Sequence, residues 1–165
     1  SYNIAALWKL PVIFVIENNK YGMGTSVNRS SAGDNLSDRG KAYGIVADIV
    51  DGMDVIAVRD AALIAMDHCR SGKGPYILEM KTYRYRGHSM SDPAKYRTRD
   101  EVDEIRQNSD PIDNIKSILV KFGLKDESLK VIDTEIKSIV GNAATFAQES
   151  LEPSEAELFT DITIN

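Results

Sequence analysis

Two predominantly apolar runs constrain this chain more than any other feature. Val12-Ile13-Phe14-Val15-Ile16 and Tyr76-Ile77-Leu78-Glu79-Met80 lack the polar alternation of a strand with one wet face. Continuous runs of β-branched and aromatic residues read as strands covered on both faces, as in a parallel sheet. Parallel neighbours need crossover connections, and the stretch between the runs contains helical spacing. The predicted class is α/β, part of a doubly wound, mostly parallel sheet, followed by C-terminal helices.

The order of elements follows from the punctuation. Ser1–Leu10 has helical apolar spacing but no N-cap, so it is expected to continue a helix begun upstream, which makes the chain a fragment. Pro11 ends it. The first strand gives way to Glu17-Asn18-Asn19-Lys20-Tyr21-Gly22-Met23-Gly24, then to a loop reaching Asn35, and a short helix is expected over Leu36–Tyr43. Two apolar groups flank Asp51-Gly52, and a further strand is placed at Val55–Val58. A helix from an Asp60 N-cap to Arg70 ends at Gly72 and Gly74, and the strand Tyr76–Thr82 follows. Beyond Arg99, Thr98-Arg99-Asp100-Glu101 has capping-box spacing for a helix over Asp100–Gln107. Asp110-Pro111 starts another that stops at Gly123, and a longer one begins at Asp126 or Ser128. The expected organisation is residues 1–100 as an α/β domain, 101–150 as a helical extension packed on it, and 151–165 as an acidic tail, either a packed arm or disordered. A sheet built from these strands alone also has an exposed edge, so a partner or self-association is expected.

Charge is unevenly distributed. The 165 residues carry a net −5, yet Lys81–Arg99 holds six Lys/Arg against the single acid Asp92, leaving −10 for the remainder. An acidic protein with one basic segment is suited to a small anion, and no nucleic-acid or membrane partner is expected. The single cysteine, Cys69, has no internal disulfide partner and falls in a helical pattern, which reads as a buried thiol in a reducing compartment.

Two stretches carry candidate chemistry. Tyr83-Arg84-Tyr85-Arg86-Gly87-His88-Ser89-Met90-Ser91-Asp92-Pro93 follows a predicted strand, and ligands bind at the carboxyl ends of strands in open α/β sheets. Its cations suit an anion, and His88 could hydrogen-bond a phosphate or move a proton near neutral pH. A solvated loop accounts for the same composition. At the other strand end, the Asn18-Asn19 amides and the Tyr21 carbonyl are hard oxygen donors of the kind Mg²⁺ takes. Taken alone, such a pair is more often an Asn-Asn turn with no metal. Gly22 and Gly24 allow either a tight turn or close ligand approach. His68, within the helix, reads as structural. Ser89 and Ser91 lie in no Gly-x-Ser-x-Gly elbow, and neither a Walker loop nor a dinucleotide fingerprint occurs.

Ala5-Ala6-Leu7-Trp8-Lys9-Leu10-Pro11, Glu17-Asn18-Asn19, Tyr21-Gly22-Met23-Gly24-Thr25-Ser26 and Tyr83 through Arg99 together closely resemble the α subunits of the thiamine-dependent pyruvate dehydrogenase component, from the first residue to about Ala147. The resemblance implies a thiamine diphosphate-binding fold and Mg²⁺. It implies a decarboxylase that acts on pyruvate and reductively acetylates the lipoyl group of a transacetylase. By the same resemblance Asn19 and the Tyr21 carbonyl ligate the metal, and Gly22 and Arg84 lie near the diphosphate. His88 reaches the diphosphate and the active-site entrance. Ser26 and Ser89 match positions phosphorylated in some relatives. The implied assembly is an α2β2 heterotetramer whose β subunit holds the activating glutamate. The compartment is bacterial cytoplasm or mitochondrial matrix.

The family's Gly-Asp-Gly, some thirty residues before its Asn-Asn, is not in this sequence, so the chain alone is expected to be inactive. The alternatives are a branched-chain 2-oxo acid or acetoin dehydrogenase α subunit, and a non-catalytic assembly piece. The single histidine in Gly87-His88-Ser89 favours pyruvate, since branched-chain relatives usually double it.

Overall fold

The computed structural model describes residues 1–161. Strand β5 (Tyr76–Lys81) is the middle of a three-stranded sheet, with β1 (Ile13–Asn18) on one side and β4 (Val46–Asp51) on the other. Both pairings are parallel, with Tyr76 opposite Ile13 and Val46 and Lys81 opposite Asn18 and Asp51. All three strands therefore end together, and the loops leaving them share one edge.

The alternation along β5 assigns its two faces. Tyr76, Leu78 and Met80 pack with Val50 of β4 and with Ala57, Val58, Ala61, Ala65 and Cys69 of helix α3 (Val55–Arg70). On the other face Ile77 and Glu79, both fully buried, meet a 3₁₀ helix, Leu36–Tyr43. Gly40 is required there, because a Cβ would stand 2.2 Å from Ile77 Cδ1. β5 thus has the two-sided burial that its apolar run predicts. β1 does not, because it is an edge strand among the described residues, and Val15 is exposed.

The sequence misplaces one boundary. The strand expected at Val55–Val58 lies instead at Val46–Asp51, and Val55 opens α3. The reason is a cap: Asp54 Oδ1 accepts from the N–H groups of Ile56 (2.8 Å) and Ala57 (3.1 Å), satisfying donors that a helix start leaves without partners. Asp60, expected to be that cap, sits within the helix and pairs with Arg59 at 2.7 Å. His68 on α3 stacks edge-on against Tyr76 at 5.1 Å, and the Tyr76 hydroxyl donates to Asp48. Cys69 is buried, and burial pushes its thiol pKa up.

Three shorter elements frame the strand ends. Helix α1 (Tyr2–Leu7) precedes β1, and after β1 a hairpin of β2 (Tyr21–Gly22) and β3 (Thr25–Ser26) runs into α2 (Val27–Ser30). Helices α4 (Arg99–Ser109), α5 (Pro111–Lys121) and α6 (Asp126–Glu149) follow. Thr98 caps α4 through its hydroxyl, which accepts from Glu101 N–H at 3.1 Å. Asp110 caps α5, with Pro111 at the first helical position.

The chain divides into two compact units, Ser1–Ile118 and Leu119 onward. In the second, α6 is followed by a 3₁₀ turn at Glu155–Phe159, and Leu158 and Phe159 are exposed. The last four residues of the expected tail lie outside the described residues. No helix among the described residues is long and apolar enough to cross a membrane.

Candidate functional site

The turn after β1 begins with an asparagine whose side chain is engaged within the protein. Asn18 is buried; its Nδ2 donates to Glu79 Oε1 at 2.7 Å and its Oδ1 accepts from Lys20 N–H at 3.2 Å. Both ends of that amide are committed to protein. Its carbonyl accepts from Thr82 N–H at 2.9 Å, which ties the exits of β1 and β5 together. Asn19, the sequence-predicted ligand, follows half-buried, and Lys20 turns the chain with a φ of 69°.

The hairpin then fixes which carbonyl faces outward. Lys20 carbonyl accepts from Val27 N–H at 2.9 Å, and the next pair inward is Tyr21 opposite Ser26. Antiparallel pairs alternate between hydrogen-bonded and non-bonded. The Tyr21 carbonyl therefore points away from its hairpin partner. An outward carbonyl beside an amide gives two neutral, hard oxygen donors, a set that fits Mg²⁺ or Ca²⁺ but fills only part of its coordination sphere. No group of three or more His, Cys, Asp or Glu that could hold a metal occurs among the described residues. A side chain at Gly22 would meet nothing within 4 Å, so Gly22 is not sterically required by this chain.

The basic segment does not continue β5. The strand stops at Lys81, and residues from Tyr83 onward fold back on the hairpin. Arg84 Nη2 donates to the Met23 carbonyl at 2.6 Å and to the Tyr96 hydroxyl at 2.9 Å. Tyr96 in turn donates to Asp92 Oδ2 at 2.8 Å, and its ring lies 3.0 Å from where a Cβ on Gly24 would be. Gly24, rather than Gly22, is thus the glycine that sits in close contact, against the Tyr96 ring. Met23 accepts a φ of 53° at the hairpin tip, the sign that tight hairpin turns demand.

Asp92 organises the loop that carries the histidine. Its carboxylate accepts from His88 N–H at 2.7 Å, Ala94 N–H at 2.8 Å and the Tyr96 hydroxyl. The His88 and Ala94 amides, then Tyr96, hold its pKa below the ordinary carboxylate value. Gly87 is forced, since a Cβ would stand 2.9 Å from the Asp92 carbonyl oxygen. His88 itself is exposed. It lines a cleft of about 380 Å³ with Met23, Gly24, Ser89, Lys95 and Tyr96, so the structure brings the histidine loop against the hairpin tip. Ser89 and Ser91 share a hydrogen bond at 3.1 Å.

A second cleft lies on Asn18, Lys20, Tyr21, Ser26 and Lys81. Tyr21 and Ser26 belong to it, His88 belongs to the other, and Asn19 lines neither.

Residues that the sequence reading missed hold this arrangement together. Arg97 donates to the carbonyls of Arg84 and Tyr85 (2.7 Å to Tyr85). Its guanidinium lies over the rings of Tyr21, Tyr83 and Tyr96 at 5.2–5.8 Å. Glu101 does not close the predicted capping box. Its Oε1 accepts instead from Tyr83 at 2.8 Å and Tyr21 at 3.4 Å. Burial, then the Glu101 bond, pushes the Tyr83 hydroxyl up to about 12. Glu79 was the readable clue, as the one acid inside an apolar strand. It is fully buried, yet held down at about 2. Burial alone would raise it; hydrogen bonds from Lys81, Asn18 and Ser37 outweigh that cost.

Comparisons with known proteins cover nearly the whole chain. Residues 1–156 match the dehydrogenase E1 component family. The chain is similar to a pyruvate dehydrogenase E1 component subunit alpha of Rhizobium meliloti (strain 1021), 58% identical over 165 residues, covering 99% of this chain and 47% of the relative. A protein of the same name from Zymomonas mobilis is 56% identical over 164 residues, at 99% and 46% coverage. The somatic mitochondrial form from Homo sapiens is 51% identical over 160 residues, at 96% and 40% coverage. The chain spans less than half the length of these curated relatives. With its family matched over residues 1–156, the chain belongs to the dehydrogenase E1 component family.

Proposed function

We propose that this chain is part of the α subunit of a pyruvate dehydrogenase decarboxylase component, a thiamine diphosphate-dependent oxidoreductase with a lipoyl acceptor. The similar relatives carry that subunit's name at 50–58% identity. In the intact protein the sheet is part of a doubly wound thiamine diphosphate-binding fold, followed in the chain by the C-terminal helices. Residues 1–100 belong to the cofactor domain, 101–150 to the helical extension and 151–165 to an acidic tail. The β subunit completes an α2β2 heterotetramer that serves a lipoyl transacetylase. Relatives include bacterial and mitochondrial proteins, in keeping with bacterial cytoplasm or mitochondrial matrix.

The similarity to relatives of that name carries this reading, and the outward Tyr21 carbonyl, two residues after Asn19, supports it. Two neutral oxygens there leave a Mg²⁺ ion's charge free to meet a diphosphate. When bound, thiamine diphosphate supplies the carbanion chemistry by which pyruvate loses carbon dioxide. Asn19 and Tyr21 hold the metal, with Gly22 giving the diphosphate close access. Arg84 adds positive charge while bridging the hairpin and Tyr96. His88 faces the cleft it shares with Met23, Gly24, Lys95 and Tyr96, where an exposed imidazole hydrogen-bonds anionic groups and moves protons at the entrance. Pyruvate is preferred to a branched 2-oxo acid because His88 is single.

Asn19→Ala in the full-length α subunit, assembled with its β subunit, tests this. The expected outcome is a fall of about tenfold or more in Mg²⁺-dependent thiamine diphosphate affinity, read by isothermal titration. Unaltered affinity overturns the metal assignment.

A further inference from the structure

The buried carboxylate of Glu79 lies beneath the turn that carries Asn19, and it meets donors from three segments. Asn18 Nδ2 donates to Oε1 at 2.7 Å, Ser37 N–H to Oε2 at 2.8 Å, and Lys81 Nζ stands 2.7 Å from Oε1. Lys81 also donates to the Asp34 carbonyl at 3.1 Å. The far end of the Asn18 amide accepts from Lys20 N–H, the bond of an Asx turn, and Asn19 lies between. Which way that amide faces is decided by what Glu79 offers it. If Asn18 rotated by half a turn, its oxygen would face a carboxylate and its NH₂ would face an N–H.

We propose that Glu79 is a positioning residue for the cation site: it orients the Asn18 amide, which closes the turn presenting Asn19 and the Tyr21 carbonyl. The proposal rests on the metal reading above. Its chemical requirement is strict, because every neighbour of Glu79 is a donor and only an acceptor-only group satisfies them all. Glutamine has the same shape but one donor end. It must turn that end toward either Asn18 Nδ2 or Ser37 N–H, and one buried pair then loses its bond. Changing both residues restores the Asn18 and Ser37 pairings, with Lys81, which loses Oε1 as its acceptor, left to the Asp34 carbonyl and the new carboxylate. In Asn18→Asp with Glu79→Gln, the glutamine NH₂ donates to the new carboxylate and its oxygen accepts from Ser37 N–H. The other aspartate oxygen keeps the Lys20 bond, and net charge is unchanged.

The test uses the full-length α subunit assembled with its β subunit. It measures thiamine diphosphate binding by isothermal titration across a series of Mg²⁺ concentrations, with thermal unfolding of the cofactor-free protein alongside. Glu79→Gln is expected to raise the Mg²⁺ needed for half-saturation by about 10- to 100-fold, the usual cost of losing a residue that orients a ligand. The Asn18→Asp/Glu79→Gln pair is expected to return it to within a few-fold of wild type. A residue that only buttressed the fold would lower the unfolding temperature and leave the Mg²⁺ requirement alone, and that result overturns the proposal. If Glu79→Gln does not assemble, the pair decides: near-wild-type Mg²⁺ dependence supports the proposal, whereas weakened binding or failure to assemble overturns it. Asn19→Ala separates the two readings. If it abolishes Mg²⁺-dependent binding while Glu79→Gln is unaffected, the Glu79 role falls alone. If Asn19→Ala binds normally, the cation reading falls and takes the Glu79 role with it.

Discussion

Asp92 entered the sequence reading only as the lone acid of a basic stretch, and the structure makes it the centre of the loop. Three donors converge on its carboxylate. Asparagine offers one acceptor oxygen and a donor in its place, so Asp92→Asn leaves at least one of them unmatched. The expected outcome in the assembled enzyme is severalfold faster tryptic cleavage at Arg84, Arg86 or Lys95, read by mass spectrometry. Unchanged cleavage would show that the loop does not depend on Asp92. The site's residue types were legible at this scale: His88, Arg84 and Asn19 stand out as chemistry in a strand-end context. Their partners were not, since Asp92, Tyr96 and Met23 meet only through side-chain reach across the fold. No spacing in the chain encodes that reach.

The hairpin and α3 decide matters at the scale of elements. Which aspartate caps α3 separates the structure from the sequence expectation, because Asp54 and Asp60 are both good cap residues near an apolar helical pattern. Asp54 wins because its carboxylate reaches two amide groups at the helix start, and placing the start at Val55 leaves Val46–Asp51 to pair with β5. Asp54→Ala should therefore cost about 1 kcal/mol of stability, the usual worth of an N-cap. Asp60→Ala, which removes only an exposed pair with Arg59, should cost less than about 0.5 kcal/mol. Chemical denaturation of the two variants of the full-length subunit distinguishes the assignments, and equal losses would argue against the Asp54 cap.

Across the whole molecule, Glu79 links the sheet, the 3₁₀ helix and the candidate site, and its ionisation gives stability a pH dependence. Its folded pKa of about 2 lies below the ordinary 4.5. The stabilisation is therefore fully present above about 4.5 and is lost as pH falls through that value toward 2. Full release corresponds to at most about 3 kcal/mol. Denaturation between pH 6 and 3 should show this decline, with Glu79→Gln lacking its share; parallel profiles for the two proteins would contradict it. By itself, the sequence determined the α/β class with its parallel sheet and marked the candidate positions for chemistry. The apolar runs mark the strands β1 and β5 of a parallel sheet, and Gly, Pro and Asn mark where strands end, because these are local consequences of burial and backbone freedom. The tertiary structure alone decided that, among the described residues, β5 is central and β1 an edge, and that both ends of the Asn18 amide bond to protein. It also decided that the basic loop turns back onto the hairpin. Each depends on which hydrogen-bond donors and acceptors meet after distant segments pack, and the chain's linear order carries no measure of that proximity.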